Sequence, residues 1–236
     1  MNEEENIINC YSEDRLIIEA IEFIICVFDK LRIEYAIIGS IGIQSYLDYF
    51  IRLPNDIDIV ILRRDVKKIT DYCNKEKIKV VEKPGRIKII TDHITTHIIP
   101  GELSIENSTN DGIFAKIDLS KFLPALKVNK VNFFYGGKQI LIKVLPIETY
   151  LFLELSRPPY TDVLMTLFYT LKYCKIDYKA YVLLLKQNII FKSVILSNLI
   201  QYDTVVDLLT YNNRLDITAV KSKFKHLYKF TKKELG

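Results

Sequence analysis

The chain has 236 residues, of which 49% are hydrophobic and 26% are charged, and its formal net charge is +4. These proportions exclude a disordered chain and are typical of a globular protein with one large domain or two small ones. The small excess of positive charge permits nucleic acid as a partner without requiring it.

The four cysteines are widely spaced and form no CxxC pair, which argues against a zinc knuckle, a redox motif or a disulfide framework. The start MNEEEN lacks the basic region and the cleavage site of a signal peptide. The most apolar stretches, residues 17–28 and 181–200, are interrupted by Glu or Lys before they reach the roughly 20 residues of a membrane span. We therefore expect a cytoplasmic protein.

The first part of the chain alternates between helix and strand. A Ser-Glu-Asp helix start is followed by apolar residues at helical spacing, and short β-branched runs lie on either side of a Gly-Ser pair and a second helical pattern. The predicted elements are a helix from Ser12 to about Arg32, a strand at 35–38, a turn at Gly39-Ser40, a helix at 41–50 and a strand at 56–62.

The middle of the chain is predicted to be sheet. A polar helix at 65–77 precedes several strand-like runs, which are separated by Pro-Gly and Gly-Gly pairs and by the polar loop ENSTNDG. The runs lie at 78–81, 86–91, 93–99, 113–119, 131–135 and 140–145.

From Pro146 onward glycine is absent until the last residue, and the periodicity becomes helical. We therefore divide the chain into a domain of residues 1–145 and a helical domain of residues 146–236. The predicted fold class is α+β, with a small mixed sheet and flanking helices followed by a C-terminal helical bundle. The helical segments are predicted at 147–156, 161–174, 177–187, 190–200, 203–211 and 216–233.

Asp56 and Asp58 stand out in the strand DIDIVI. Residues two apart in a strand share a face, so both carboxylates point the same way. Like charges this close resist joint ionisation unless a cation lies between them, and Mg²⁺ or Mn²⁺ is such a cation. The alternative is an exposed strand face on which both aspartates serve only solubility.

Gly39-Ser40 lies at the end of one strand and the start of a helix. Unpaired backbone N–H groups and the helix dipole favour an anion such as a phosphate at that point. A Gly-Ser pair alone is explained by a sharp corner that needs a positive φ. Together with Asp56 and Asp58, it indicates a phosphate beside a metal ion.

The ordered run of GSIG, Arg52 and DIDIVI resembles the signature of the DNA polymerase beta-like nucleotidyltransferase superfamily, in which hG[GS] is followed by DhDh. The resemblance implies two metal-binding aspartates on one strand and a third carboxylate on a later, neighbouring strand. Asp118, near the end of the apolar run FAKID, is the candidate for the third carboxylate. Asp92 and Asp111, in a turn and a polar loop, are its competitors.

The resemblance implies transfer of a nucleoside monophosphate from a nucleoside triphosphate, such as ATP, to an RNA, protein or small-molecule acceptor, with release of pyrophosphate. Asp56 and Asp58 would hold Mg²⁺ or Mn²⁺ against the triphosphate. Asp118 would ligate a second metal ion and help to deprotonate the attacking hydroxyl.

Three residues are expected to bind the nucleotide. The Gly39 and Ser40 backbone, together with the Ser40 hydroxyl, would contact phosphate oxygens, and Arg52 would neutralise part of the same charge. The alternative for Arg52 is an ordinary salt bridge to Asp48 or Asp56.

A weaker resemblance to abortive-infection-type and related minimal nucleotidyltransferases covers about residues 35–170, with Glu148 and Asp162 at matching positions. Glu154 and Thr161 depart from it, because those relatives commonly carry lysine there. The missing positive charge puts phosphate binding by this helix in doubt. It leaves open a catalytically inactive nucleotide-binding relative that acts as a regulatory or antitoxin-like protein partner. A third hypothesis is an interaction domain with a fortuitous DxD.

Two other patterns concern a pair of histidines and the basic C-terminal segment. His93 and His97 have the spacing of a helical zinc pair, but the surrounding threonines and isoleucines favour a strand, in which residues four apart are distant. The tail at 221–233, KSKFKHLYKFTKK, is basic with interleaved aromatic residues and fits tRNA or another RNA. The alternative is a solvated terminal helix that is buried through its apolar face.

Overall fold

The computed structural model describes residues 3–47, 54–83, 85–91, 94–106, 114–132, 137–157, 161–213 and 218–235. Five of the candidate residues lie outside these ranges: Asp48, Arg52, Asp92, His93 and Asp111.

The first part of the chain contains the predicted alternation of helix and strand. Helix α1 begins at Glu3, earlier than the predicted start at Ser12. It ends where Arg32 adopts a left-handed φ of 52° and the Ile33 N–H donates to the Phe28 carbonyl at 2.9 Å. The elements are α1 (Glu3–Leu31), β1 (Tyr35–Ile38), α2 (Gly39–Gln44), β2 (Asp56–Ile61) and α3 (Val66–Lys75).

Seven strands form a mixed sheet, which confirms the predicted fold class. The strands that follow α3 are β3 (Lys79–Lys83), β4 (Arg86–Ile90), β5 (Thr95–Pro100), β6 (Glu102–Glu106), β7 (Phe114–Asp118), β8 (Lys127–Asn132) and β9 (Gln139–Val144). Their order in the sheet is β3-β4-β5-β2-β1-β9-β8. Strand β2 is therefore central, antiparallel to β1 and parallel to β5.

Two strands differ from the sequence prediction. Strand β6 was not predicted, and it pairs with β7 in a separate two-stranded sheet. Strand β8 begins at Lys127 rather than Val131, because four of its six residues are Lys or Asn and the segment has no apolar alternation. Charged residues of this kind are common on edge strands, where they oppose pairing with other chains.

The core of the sheet explains where β2 is exposed. Ile57, Ile59, Val60 and Ile61 are all buried, as expected for a central strand that is covered on both faces. Asp56 and Asp58, the first and third residues of β2, are half-exposed. Strand β2 thus presents its polar side chains at its start only.

Helices form the rest of the described chain: α4 (Ile147–Leu155), α5 (Thr161–Tyr173), α6 (Tyr178–Gln187), α7 (Lys192–Asn213) and α8 (Thr218–Leu235). The helices predicted at 190–200 and 203–211 form the single helix α7, since no glycine or proline separates them. None of the helices in the described ranges is long and apolar enough to cross a membrane.

The chain divides into two compact units. One contains residues 1–103 and 118–146, and the other contains residues 104–117 and 147–236. From the sequence, residues 104–117 were expected in the first domain. The domain boundary between residues 145 and 146 stays a prediction.

Candidate metal and nucleotide site

The pleat of β2 brings two carboxylates to one face of the sheet. Asp56 and Asp58 alternate with the buried Ile57 and Ile59, and their side chains are 43% and 31% exposed. Because residues two apart in a strand point the same way, the two carboxylates are neighbours in a partly solvated position.

The glycine turn lies directly against the second carboxylate. Ile38 is paired with Asp58 in the antiparallel ladder between β1 and β2, so Gly39 follows immediately beside it. Gly39 has a φ of +65°, and a Cβ built on it would lie 2.5 Å from the Asp58 Oδ2 atom. Glycine is therefore required twice here, for its left-handed backbone and for the close approach of Asp58.

A histidine completes the cluster. His97 lies on β5 and is the parallel partner of Asp58 on β2. Its Nδ1 atom is 3.1 Å from Asp58 Oδ1 and 3.6 Å from Asp56 Oδ2. The residue is only 9% exposed, so the imidazole forms the buried side of the cluster and the carboxylates form its outer side.

The sequence placed His97 on a strand but gave it no role. The resemblance implied a third group on a strand neighbouring β2, and only carboxylates were considered for it. The available signal was that the strand predicted at 93–99 carries two histidines, His93 and His97, whose side chains can ligate a metal ion.

Asp118 lies elsewhere. Its Oδ1 accepts hydrogen bonds from the Ser120 N–H at 3.1 Å and from the Ser120 hydroxyl at 2.5 Å, and it caps the turn that follows β7. A Cβ on Gly101 would lie 3.9 Å from this Oδ1. Gly101 lies just beyond the end of β5, four residues after His97.

The structure therefore does not bring Asp118 into the cluster. His97, not Asp118, stands beside Asp56 and Asp58. Asp118 ends strand β7, which pairs with β6 in a separate two-stranded sheet, whereas His97 lies on a strand that is hydrogen-bonded to β2.

The cluster fits one divalent ion. The ligand atoms of Asp56, Asp58 and His97 all lie within 4.8 Å of one another. Two ligands about 2.1 Å from the same ion are at most about 4.2 Å apart, so small side-chain movements would suffice. Carboxylate oxygen and imidazole nitrogen are both ordinary metal donors.

A lysine shares the face of the sheet with this cluster. Lys88 on β4 is the direct antiparallel partner of His97, which is itself the partner of Asp58. Directly paired residues point to the same face, and strands are about 4.8 Å apart, so the Lys88 Cα is roughly 10 Å from that of Asp58. This row across three strands supplies a cation that the sequence did not identify.

The two glutamates of α4 have partners within their own unit. Glu148 accepts a hydrogen bond at 2.8 Å from the backbone N–H of Asp177, whose side chain caps α6. Glu154 is buried and forms an ion pair with Arg157 at 3.2 Å. These contacts give both residues a structural role in the helical unit.

Helix α8 is buried on one face and basic on the other. Phe224 and Leu227 are buried, whereas the exposed residues of the helix include Lys225, Lys229 and Lys232. The predicted apolar face is therefore present, and RNA binding by the lysines stays a prediction.

Comparisons with known proteins give a likeness in fold. No protein-family model matches the chain, and no curated protein matches it. The chain is similar to the lincosamide antibiotic adenylyltransferase LnuA bound to lincomycin, with 16% identity, a TM-score of 0.38, and coverage of 57% of this chain and 83% of that one.

Two further solved structures are similar. The antibiotic-resistance factor ANT(2'')-Ia has 11% identity and a TM-score of 0.43, with 85% of this chain and 98% of that chain covered. A Thermotoga maritima protein assigned as a nucleotidyltransferase has 18% identity and a TM-score of 0.36, with 58% and 83% covered. None of the three solved structures named here is described as an abortive-infection protein.

Proposed function

We propose that this chain is a metal-dependent nucleotidyltransferase, which transfers a nucleoside monophosphate from a nucleoside triphosphate to an RNA, protein or small-molecule acceptor. The observation that carries the proposal is the contact between the Gly39 turn and the Asp58 carboxylate, with Asp56 and His97 alongside. A turn that must be glycine places bare backbone against a cluster of metal-ligating groups.

Asp56 and Asp58 would hold the metal ion, which would be Mg²⁺ or Mn²⁺. When bound, such an ion neutralises triphosphate charge and makes an attacking hydroxyl more acidic. The described residues contribute no third carboxylate to this cluster, so most of the acceleration would come from positioning and charge neutralisation.

The phosphates of the nucleotide would lie between the glycine turn and the cations, which are the metal ion, Lys88 and Arg52. The backbone of Gly39 and Ser40 would contact phosphate oxygens, because Gly39 has no side chain to keep them away. Lys88 shares the face of the sheet and would offset part of the triphosphate charge, as would Arg52, which lies outside the described residues.

One observation favours a second candidate function. The third group of the cluster is an imidazole rather than a carboxylate, and Asp118 lies elsewhere. A relative that binds nucleotide without catalysing transfer, and acts as a regulatory or antitoxin-like partner, would need no third acid.

The decisive experiment uses four nucleoside triphosphates labelled at the α-phosphate, each with total RNA, purified tRNA or the protein alone. Label transfer with pyrophosphate release supports the enzyme, and metal-supported nucleotide binding without transfer supports the second candidate. If the wild-type protein shows neither label transfer nor metal-supported nucleotide binding, both candidate functions are refuted. Asp56→Asn and Asp58→Asn are the inactive controls, because each keeps the side-chain shape and removes a charged ligand.

A further inference from the structure

The orientation of His97 distinguishes this cluster from a pair of aspartates on an exposed strand. One atom, Nδ1, faces both carboxylates, at 3.1 Å from Asp58 Oδ1 and 3.6 Å from Asp56 Oδ2. A cation shared by the two carboxylates would therefore lie within reach of this nitrogen.

The burial of the His97 imidazole keeps it beside the two carboxylates. His97 is 9% exposed and sits on the central part of the sheet, where its strand pairs with β2 on one side and β4 on the other. Moving such a ring away from the carboxylates would require repacking of the sheet face, since interiors are close-packed. An ion held by Asp56 and Asp58 would meet the nitrogen.

The donor set affects which ions bind best. Mg²⁺ is a hard ion that prefers oxygen ligands in near-ideal octahedral geometry and keeps several waters. First-row transition ions accept imidazole nitrogen as well as carboxylate oxygen. A set of two carboxylates and one imidazole therefore favours the transition ions.

The charge of the cluster indicates how many ions it can hold. Two carboxylates and a neutral imidazole carry a charge of −2, which balances one divalent ion. A second ion would need further negative charge, and the described residues place none in the cluster.

We propose that His97 is a metal ligand and that the site binds one divalent first-row transition ion, such as Mn²⁺, in preference to Mg²⁺. This inference rests on the proposed function, because it names the ion that the same site would use. The alternative is that His97 only donates a hydrogen bond that orients Asp58.

The substitution His97→Asn separates the two roles. The asparagine amide places an N–H donor near the position of the imidazole Nδ1, so it can still hydrogen-bond to Asp58, but it offers no nitrogen lone pair to a metal. Asp58→Asn tests the site itself, and Asp118→Asn is the matched control outside the cluster.

The experiment is titration with Mn²⁺ and, separately, with Mg²⁺, followed by electron spin echo spectroscopy of the Mn²⁺ complex. We expect one Mn²⁺ per chain and a nitrogen modulation from a directly bound imidazole. In His97→Asn, the modulation should disappear and Mn²⁺ affinity should fall at least about tenfold, whereas Mg²⁺ affinity should change less than about threefold.

The outcomes distinguish this inference from the proposed function. Mn²⁺ bound without nitrogen modulation, or equal losses for both ions in a folded His97→Asn protein, would overturn the inference and leave the proposed function standing. Failure to bind either ion, or binding that Asp58→Asn does not weaken, would overturn both.

Discussion

Replacing Gly39 by alanine tests the contact on which the candidate site depends. The φ of +65° at this residue is unfavourable for alanine by about 1–2 kcal/mol. The new Cβ would also lie 2.5 Å from Asp58 Oδ2, so one of the two groups must move. The carboxylate is the far end of a side chain, and we expect it to move by roughly 1 Å to restore van der Waals contact.

Gly39→Ala should change two separately measured quantities, the free energy of unfolding and the affinity for nucleotide. The free energy of unfolding should fall by about 1–2 kcal/mol from the backbone alone. Metal-supported nucleotide binding should fall by roughly 10- to 100-fold, which is the usual effect of disturbing a group that orients a metal ligand.

Gly85→Ala is the matched control. Gly85 has a φ of +74°, and nothing lies within 4 Å of the Cβ that would be added. It should lose the same 1–2 kcal/mol in a denaturant titration and keep full metal and nucleotide affinity. Equal loss of nucleotide affinity in the two variants, or none in Gly39→Ala, would refute the role of this contact.

Three further predictions concern other parts of the chain. Asp118→Asn should keep metal and nucleotide affinity within about twofold and cost at most about 1 kcal/mol of stability, since asparagine still caps the turn; a loss like that of the cluster variants in a binding titration would mean that Asp118 does act at the site. Burial raises the pKa of the Cys73 and Cys174 thiols to about 11. At pH 8, both should therefore react with a thiol reagent on the order of 100-fold more slowly than the exposed Cys26 until the protein unfolds. Comparable rates in a mass-spectrometric time course would contradict their burial. Asp177→Ala should lower the thermal midpoint, at a cost of about 1 kcal/mol, because the first turn of α6 loses the acceptor for two N–H groups; an unchanged midpoint in calorimetry would show that the cap is redundant.

Local patterns explain what could be predicted from the sequence. The alternation of Asp56 and Asp58 with isoleucines requires only a period of two, and a turn glycine before the strand requires only a positive φ. Both are properties of adjacent residues. Their closeness then follows from the antiparallel pairing of β1 with β2.

Pairing between distant strands explains what could not be predicted. The contact of His97 with Asp58 depends on β5 lying parallel to β2 across an intervening helix and hairpin, and no local pattern reports that register. Asp118 was assigned to the site because its strand was assumed to neighbour β2. Instead, that strand pairs with β6, whose sequence is ELSIE.

The most direct test of the central claim is a calorimetric titration of the folded protein with a non-hydrolysable nucleoside triphosphate, with Mn²⁺ or Mg²⁺ and again with a chelator. We predict binding only when the metal ion is present, with at least about a tenfold loss in Asp58→Asn and none in Asp118→Asn. Equal affinity in the chelator, or an Asp58→Asn protein that binds as tightly as the wild type, would contradict a metal and nucleotide site at the start of β2.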